Sequence, residues 1–376
     1  MSLSEYPPKA DPARVRVAIA GVGNCASALL QGMEYYRDVV AEEQEPWGLM
    51  HLDMGGYRPG DVEVVAAFDI DRRKVGQPLH EAAFAQPNCS TVIRGKLATS
   101  PVTVQMGPVH DGVAPHMADY RESRSFRVAD ESPVDVAKVL HESGAEILIS
   151  YLPVGSNKAV QSYAEACLAT GVSFVNCVPV FIVSDPQWGE RFRAAGIPCA
   201  GDDIKSQVGA TILHRLVARL FADRGAKLER TYQLNTGGNT DFLNMLSRER
   251  LASKKISKTE AVTSQIPHEI AADNVHIGPS DYVPWQGDNK VCFLRVEGRG
   301  FGGAPIELEA RLSVQDSPNS AGIVIDVIRY VKIARSRGLA GPLLPISAWS
   351  MKHPPVQMRD EAASRQIEEF LADGSG

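Results

Sequence analysis

The apolar run Val15–Ala20 passes without a break into Gly21-Val22-Gly23-Asn24-Cys25-Ala26 and then into a helix-compatible stretch, Ser27–Tyr36. Few local patterns limit a fold so tightly. In a strand that ends on G-x-G-x-x-A, the first glycine permits a sharp turn and the second lets the backbone approach a pyrophosphate. The small third residue permits close helix–strand packing. The helix that follows offers free N–H groups to an anion. The pattern predicts the first unit of a doubly wound α/β sheet that binds a dinucleotide.

The rest of the first two hundred residues continues in this way. A second strand, Val62–Ile70, ends at Phe68-Asp69-Ile70-Asp71. Asp69 stands where an acid holds the adenosine ribose, later than the usual spacing because an acidic, Gly/Pro-punctuated insertion (41–60) intervenes. An acid there favours NAD over NADP, while Arg72 and Arg73 next door pull the other way. Residues 1–13 are polar and proline-rich and read as frayed; 86–130 give mixed signals. Ser132-Pro133 reads as an N-cap and first turn of a helix to Gly144, and Ser156 as the N-cap of one ending at Gly171. Strands 145–150, 172–178 and 197–200 alternate with those helices, with one through Arg191, and with one from about Ser206 to Asp223. Long crossovers of this kind predict parallel strands with helices on both faces. After residue 226 the strands Thr231–Asn235, Lys290–Glu297 and Ile306–Val314 alternate apolar and polar, as in a mostly antiparallel sheet with one covered face. A helix from Ala321 to Arg337 and a proline-broken tail follow.

Composition narrows the chemistry. With 39 basic and 45 acidic residues the chain carries a net charge of −6, so it lacks the basic field that nucleic-acid binding needs. The six cysteines form no C-x-x-C pair, which predicts reduced thiols and a cytoplasmic protein. No apolar run reaches the ~18–20 residues that span a membrane. H-E-x-x-H, G-x-S-x-G and the P-loop pattern are absent. What remains is a two-domain NAD protein that handles an anionic small molecule.

In open α/β sheets ligands bind at the carboxyl ends of the strands. Three loops end strands here: Ser150–Gly155, Asn176–Val180 and Gly201-Asp202-Asp203-Ile204-Lys205-Ser206. Candidate cofactor contacts are therefore Gly21, Gly23, Asn24, Cys25 and Asp69, with Ser150, Tyr151, Pro179, Asp203 and Ser206 from the loops. Asp203 and Ser206 also read as caps of the helix after them. Lys254 and Lys258 lie four apart and share a helical face, an arrangement that costs energy unless an anion lies between them. Gly237-Gly238-Asn239-Thr240-Asp241 is a glycine-rich turn with an acid, suited to a phosphate or hydroxyl contact or to a plain hairpin.

Six segments in order carry a family resemblance: Gly-Val-Gly-Asn-Cys-Ala-Ser at 21–27, Ser-Tyr-Leu-Pro-Val-Gly-Ser at 150–156, Gly-Asp-Asp-Ile-Lys-Ser-Gln at 201–207, Gly-Gly-Asn-x-Asp-Phe-Leu-Asn at 237–244, Ser-Lys-Lys-Ile-Ser-Lys at 253–258 and Asp-Ser-Pro-Asn-Ser-Ala-Gly at 316–322. From about residue 14 to 370 the chain resembles the inositol-3-phosphate synthases (myo-inositol-1-phosphate synthases) in their shorter, actinobacterial form. The resemblance implies an NAD-dependent isomerase of glucose 6-phosphate. In that reaction C5 is oxidised, C6 closes on C1 through an enolate, and C5 is reduced again, with no net redox change. It implies catalytic lysines at Lys254, Lys258, Lys290 and Lys352 and site aspartates at Asp203, Asp241 and Asp316. It also implies a discontinuous NAD-binding Rossmann domain (1–209 and 318–376) with an inserted α+β catalytic and tetramerisation domain (210–317), assembled as a homotetramer. Asp203, Asp316 and Ser317 form a candidate cation site of unnamed metal. A Schiff base on one lysine is alternative chemistry. An ordinary two-domain NAD(P) dehydrogenase of a phosphosugar and a non-catalytic NAD-binding regulator are the competing readings.

Overall fold

A computed structural model describes residues 14–39, 47–278 and 281–373. The polar start and residues 40–46 of the acidic insertion lie outside the described residues. Strands β1 (Val15–Ala20), β2 (Val62–Asp69), β3 (Val104–Met106), β4 (Ile147–Ser150), β5 (Ser173–Asn176) and β6 (Pro198–Ala200) are parallel, in the order β6-β5-β4-β1-β2-β3. Both faces are covered, as a parallel sheet requires. Along β1, Val15, Val17 and Ile19 enter one core, while Ala18 and Ala20 enter the other. Helix α1 (Asn24–Arg37) and the short α2 (Leu79–Ala82) contribute to the first core. Helices α3 (Val136–Ser143), α4 (Asn157–Thr170) and α5 (Pro186–Ala194) contribute to the second.

The second sheet contains β7 (Lys227–Gly237), β8 (Val275–Ile277), β9 (Asp281–Tyr282), β10 (Asn289–Arg299) and β11 (Pro305–Gln315). The pairs β7–β10 and β10–β11 are antiparallel, while β8 and β9 run parallel to β7. The sheet is therefore mixed, because between β7 and β8 the chain crosses over through two helices, α7 (Thr240–Asn244) and α8 (Ala252–Thr263). Leu228, Cys292, Leu294 and Val296 of its covered face pack on Val217 and Phe221 of α6 (Ala210–Asp223) and on Val262 of α8. The chain then returns to the first sheet through α9 (Asp316–Ser336), which is buried along most of its length beside α1. Strand β12 (Gly341–Pro342) pairs with β6, and α10 (Leu344–Ser350) and α11 (Asp360–Ala372) complete the first core.

Several element starts differ from expectation. Helix α3 begins after Asp135, whose carboxylate accepts from Lys138 N at 3.0 Å, and not at Ser132. Ser156 precedes α4 but makes no capping bond. Asp111 reaches in instead, accepting from the N–H groups of Lys158 (2.9 Å) and Ala159 (3.1 Å). Helix α6 starts after Gly209, so neither Asp203 nor Ser206 caps it. Helix α9 starts at Asp316, ahead of Ala321, because Asp288 accepts from Asp316 N (3.0 Å) and Ser317 N (3.1 Å). Among the described residues no helix is long and apolar enough to cross a membrane.

Candidate active site

The strand order reverses between β1 and β4, and a cavity opens there at the carboxyl ends of the strands. Its wall begins at the fingerprint turn. Gly21 has φ +95°, and a side chain there would put Cβ 2.8 Å from the carbonyl oxygen of Tyr151, so this close approach requires glycine. A side chain at Gly23 would meet only open space, and Gly23 heads α1 with no side-chain cap. Among the described residues the first N–H groups of α1 have no side-chain acceptor, as a pyrophosphate site needs. These features fit a dinucleotide.

Asp69 stands at the rim of the same cavity and braces the turn. Its carboxylate accepts from Val22 N (2.7 Å), Ile70 N (2.7 Å) and Asp71 N (2.8 Å). Lys74, which no motif singled out, supports the turn from behind by donating to Val22 O (2.7 Å) and Asn88 Oδ1 (2.9 Å). The two arginines that complicated the choice of dinucleotide are engaged elsewhere. Arg73 forks onto the Asp71 carboxylate, and Arg72 pairs with Glu122 at 2.7 Å.

Asn24, Cys25, Tyr151, Pro179, Asp203 and Ser206 also line the cavity; Ser150 does not. Ser150 is fully buried one residue behind the wall, its hydroxyl without a partner among the described residues. The Cys25 thiol is pushed up to about 12 by burial and by Asp316 and Asp288, so it is an inert wall residue.

The four lysines arrive on three different elements and line the same cavity. Helix α8 carries Lys254 and Lys258, β10 carries Lys290, and the segment after α10 carries Lys352. Three of them meet a carboxylate. Lys254 Nζ is 3.6 Å from Asp241, Lys290 Nζ is 3.0 Å from Asp316, and Lys352 Nζ is 2.9 Å from Asp203. Burial opposes the charge on Lys254, but Asp241, Asp203 and Asp316 outweigh it and raise its pKa. Burial likewise opposes ionisation of Asp203, yet Lys352, Lys254 and the Ser257 hydroxyl hold it at about 2.

Among the described residues Lys258 has no carboxylate ion pair. Burial lowers its amine to about 7, helped by repulsion from Lys290, Lys254 and Lys352 and opposed by Asp203. One site thus holds three ion-paired lysines and one amine that burial and neighbouring lysines hold well below the usual lysine range.

The structure lends the candidate cation site no support. Asp203 Oδ1 accepts from Lys352, and Asp203 Oδ2 from Ser257. Asp316 Oδ1 accepts from Lys290, while Ser317 Oγ donates to Asp288 at 2.8 Å. Three of the carboxylate oxygens that would bind a metal already accept from ammonium or hydroxyl donors. Among the described residues no group of three His, Cys, Asp or Glu is placed to hold a metal.

Sequence reasoning also missed Ser257 and Asp288. Ser257 was visible only as the serine between two lysines, and its hydroxyl ties α8 to Asp203. Asp288 accepts from Asn239 Nδ2 at 3.0 Å as well as from Ser317, and Asn239 in turn caps α7, which carries Asp241. The glycine-rich turn at 237–241 is thus the entry to a short helix, not a hairpin.

Known proteins of one family are similar to this chain. Residues 209–317 match the family model for myo-inositol-1-phosphate synthase. The inositol-3-phosphate synthase of Mycobacterium tuberculosis is 54% identical over 357 residues, covering 95% of each chain. That of Corynebacterium glutamicum is 52% identical over 364 residues, covering 96% of this chain and 98% of its own. A solved myo-inositol-1-phosphate synthase-related protein from Thermotoga maritima shares the fold. It has a TM-score of 0.79 at 24% identity and covers 96% of this chain and 98% of its own. On the strength of the full-length relatives, the chain belongs to the myo-inositol-1-phosphate synthase family.

Proposed function

We propose that the chain converts glucose 6-phosphate to myo-inositol phosphate with NAD as a recycled cofactor. The observation that carries this reading is the lysine set. Four lysine side chains, three of them paired with carboxylates, surround the space in front of the fingerprint turn. An ordinary dehydrogenase has no need of so many cations, and a regulator has no use for a buried neutral amine.

Gly21, Gly23, Asn24 and Asp69 would hold the dinucleotide, with Tyr151 and Pro179 on the facing wall. NAD is favoured over NADP because Asp69 occupies the ribose position and Arg72 and Arg73 are committed to other carboxylates. When bound, NAD supplies a hydride acceptor at the sugar's C5 and returns the hydride there. The protein does the rest. Lys254, Lys290 and Lys352, each set beside a carboxylate of Asp241, Asp316 or Asp203, face the phosphate dianion and the oxygens on which negative charge develops. The Nζ of Lys258 takes and returns the proton that moves during enolisation, which an amine at about 7 does at low cost. Asp203 is held at both oxygens and keeps Lys352 in register with α8.

The same reading divides the chain at about residues 210 and 317 into a dinucleotide domain and an inserted catalytic domain. It also has the chain assemble as a homotetramer through the inserted sheet. Strand β11 supports this, since all eleven of its residues are at least partly exposed along one edge, a surface that proteins cover. A cytoplasmic location fits six unpaired cysteines. The decisive experiment is incubation with glucose 6-phosphate deuterated at C5 and a trace of NAD. Inositol phosphate that retains the label is expected; label in a pool of free NADH means a simple dehydrogenase.

A further inference from the structure

Arg250 lies two residues before α8, on the segment that leads into the lysine helix. Its half-buried guanidinium makes three bonds. Nε donates to Val154 O at 3.0 Å, Nη1 to Asp111 O at 2.8 Å and Nη2 to Ser156 Oγ at 3.3 Å. Among the described residues it has no carboxylate ion pair, so its charge is spent on backbone carbonyls and one hydroxyl. Its stem also packs closely, since a Cβ added at Gly155 would lie 2.6 Å from Arg250 Cβ. Asn244 donates to the same Val154 carbonyl at 3.0 Å, and Val154, Phe242, Met245 and Leu251 form a small apolar cluster around the junction.

The acceptors matter because of where they sit. Val154 belongs to the loop after β4, where Tyr151 through Val154 form part of the cavity wall. Asp111 belongs to the loop after β3, beside Val109 and Gly112 of the same wall, and its carboxylate caps α4. One side chain on the lysine-bearing segment therefore spans two loops that line the dinucleotide side of the cavity. Arginine suits this task because its planar fork reaches several acceptors at fixed angles, which a lysine cannot do.

We infer that Arg250 is a positioning residue that registers the lysine helix against the two dinucleotide-side loops, and so sets where Lys254 and Lys258 stand relative to a bound cofactor. The inference rests on the reading of the site given above. Lys258 gives it a chemical reporter. That amine is low because of burial and because Lys290 on β10, Lys352 after α10 and Lys254 on its own helix crowd it, with Asp203 opposing. A displaced α8 relieves this crowding.

The test compares wild type with Arg250→Lys, which keeps the stem and the charge, and with Arg250→Ala. Hydrogen exchange across residues 252–263 is expected to quicken in both variants while α4 stays protected and NAD binds as in wild type. Misplacement by about an ångström typically costs ~10²-fold in rate, so kcat/KM for glucose 6-phosphate should fall by about that factor. Its pH limb near 7 should move upward, towards an ordinary lysine. Unchanged exchange in α8 together with an unmoved pH limb in Arg250→Lys overturns the inference. So does a loss of NAD affinity as large as the loss in kcat/KM, which would make Arg250 a brace of the cofactor loops alone. The exchange readout needs no turnover. A wild type that makes no inositol phosphate therefore defeats the synthase reading while exchange still decides the role of Arg250.

Discussion

Lys352 and Asp203 are joined twice: Lys352 Nζ meets Asp203 Oδ1 at 2.9 Å, and Lys352 N donates to Asp203 O at 2.7 Å. Residues 149 positions apart are thus locked backbone to backbone and charge to charge. Asp203 also has a positive φ of 62°, uncommon for a residue other than glycine and more frequent at functional sites.

Replacing Asp203 by Asn removes the charge while keeping the shape. Activity should fall by ~10²–10³-fold as Lys352 loses its fixed counter-charge. Stability should respond to pH in one direction. The folded carboxyl is lowered to about 2, below an unfolded value near ~3.9, so the wild type's advantage is complete above that value. It disappears as pH falls through the folded value. Urea melts of both proteins between pH 2 and 7 measure this as a gap that closes only in acid.

The lysine set predicts a pattern across five alanine variants. Lys254→Ala, Lys258→Ala, Lys290→Ala and Lys352→Ala should each fold, bind NAD and lose ~10²-fold or more in kcat. Lys255 is exposed on the outer side of α8, and Lys255→Ala should match wild type. Equal losses at all five positions would point to a diffuse electrostatic field in place of a built site.

Lys258 predicts a trade of stability against activity. A lysine whose folded pKa lies near 7 and whose unfolded pKa is ~10.4 destabilises the fold most below pH 7, where it must be charged in both states. Between those values the unfolded chain holds the extra proton, so stability rises with pH. Lys258→Met should therefore be inactive and more stable than wild type at pH 6, with the difference shrinking towards pH 10. Thermal melts at three pH values suffice, and a variant less stable than wild type at pH 6 would count against an uncompensated Lys258.

Asp69 predicts a cofactor effect that extends to the turn. Asp69→Ala removes the acceptor for Val22 N as well as the proposed ribose contact. NAD affinity should weaken about tenfold or more, given ~1.5–3 kcal/mol for a hydrogen bond to a charged group. Asp69→Ser should narrow the preference for NAD over NADP. Calorimetric titration with both nucleotides settles it, and unchanged affinities would mean the wrong acid was chosen.

The legible parts of this molecule are those whose causes are local. The βα turn at 21–26 could be read because glycine geometry and strand burial act within a few residues. Lys254 and Lys258 could be paired because helical periodicity puts them on one face. Lys290 and Lys352 came from the family resemblance, since nothing within their own segments marks them. Asp111 as the cap of α4, Asp288 as the anchor of α9 and Ser257 as the tie to Asp203 were missed for one shared reason. Each acts on a partner well outside its own segment: Asp111 on Lys158 at 47 positions, Ser257 on Asp203 at 54 and Asp288 on Ser317 at 29. Only tertiary structure creates such contacts. The expected cation site gained no support because oxygen donors read from a sequence carry no sign of the lysines that pair with them.

The return of the chain to the first sheet has a consequence for biosynthesis. As the protein emerges from the ribosome, the fingerprint turn, β4 and the loop carrying Asp203 appear early, and Lys254, Lys258 and Lys290 follow. Asp203 nevertheless has to wait for residue 352 for its ion pair, and β6 for β12 along its outer edge. The last segment to be made therefore both covers one face of the first sheet and delivers the last lysine of the reactive centre.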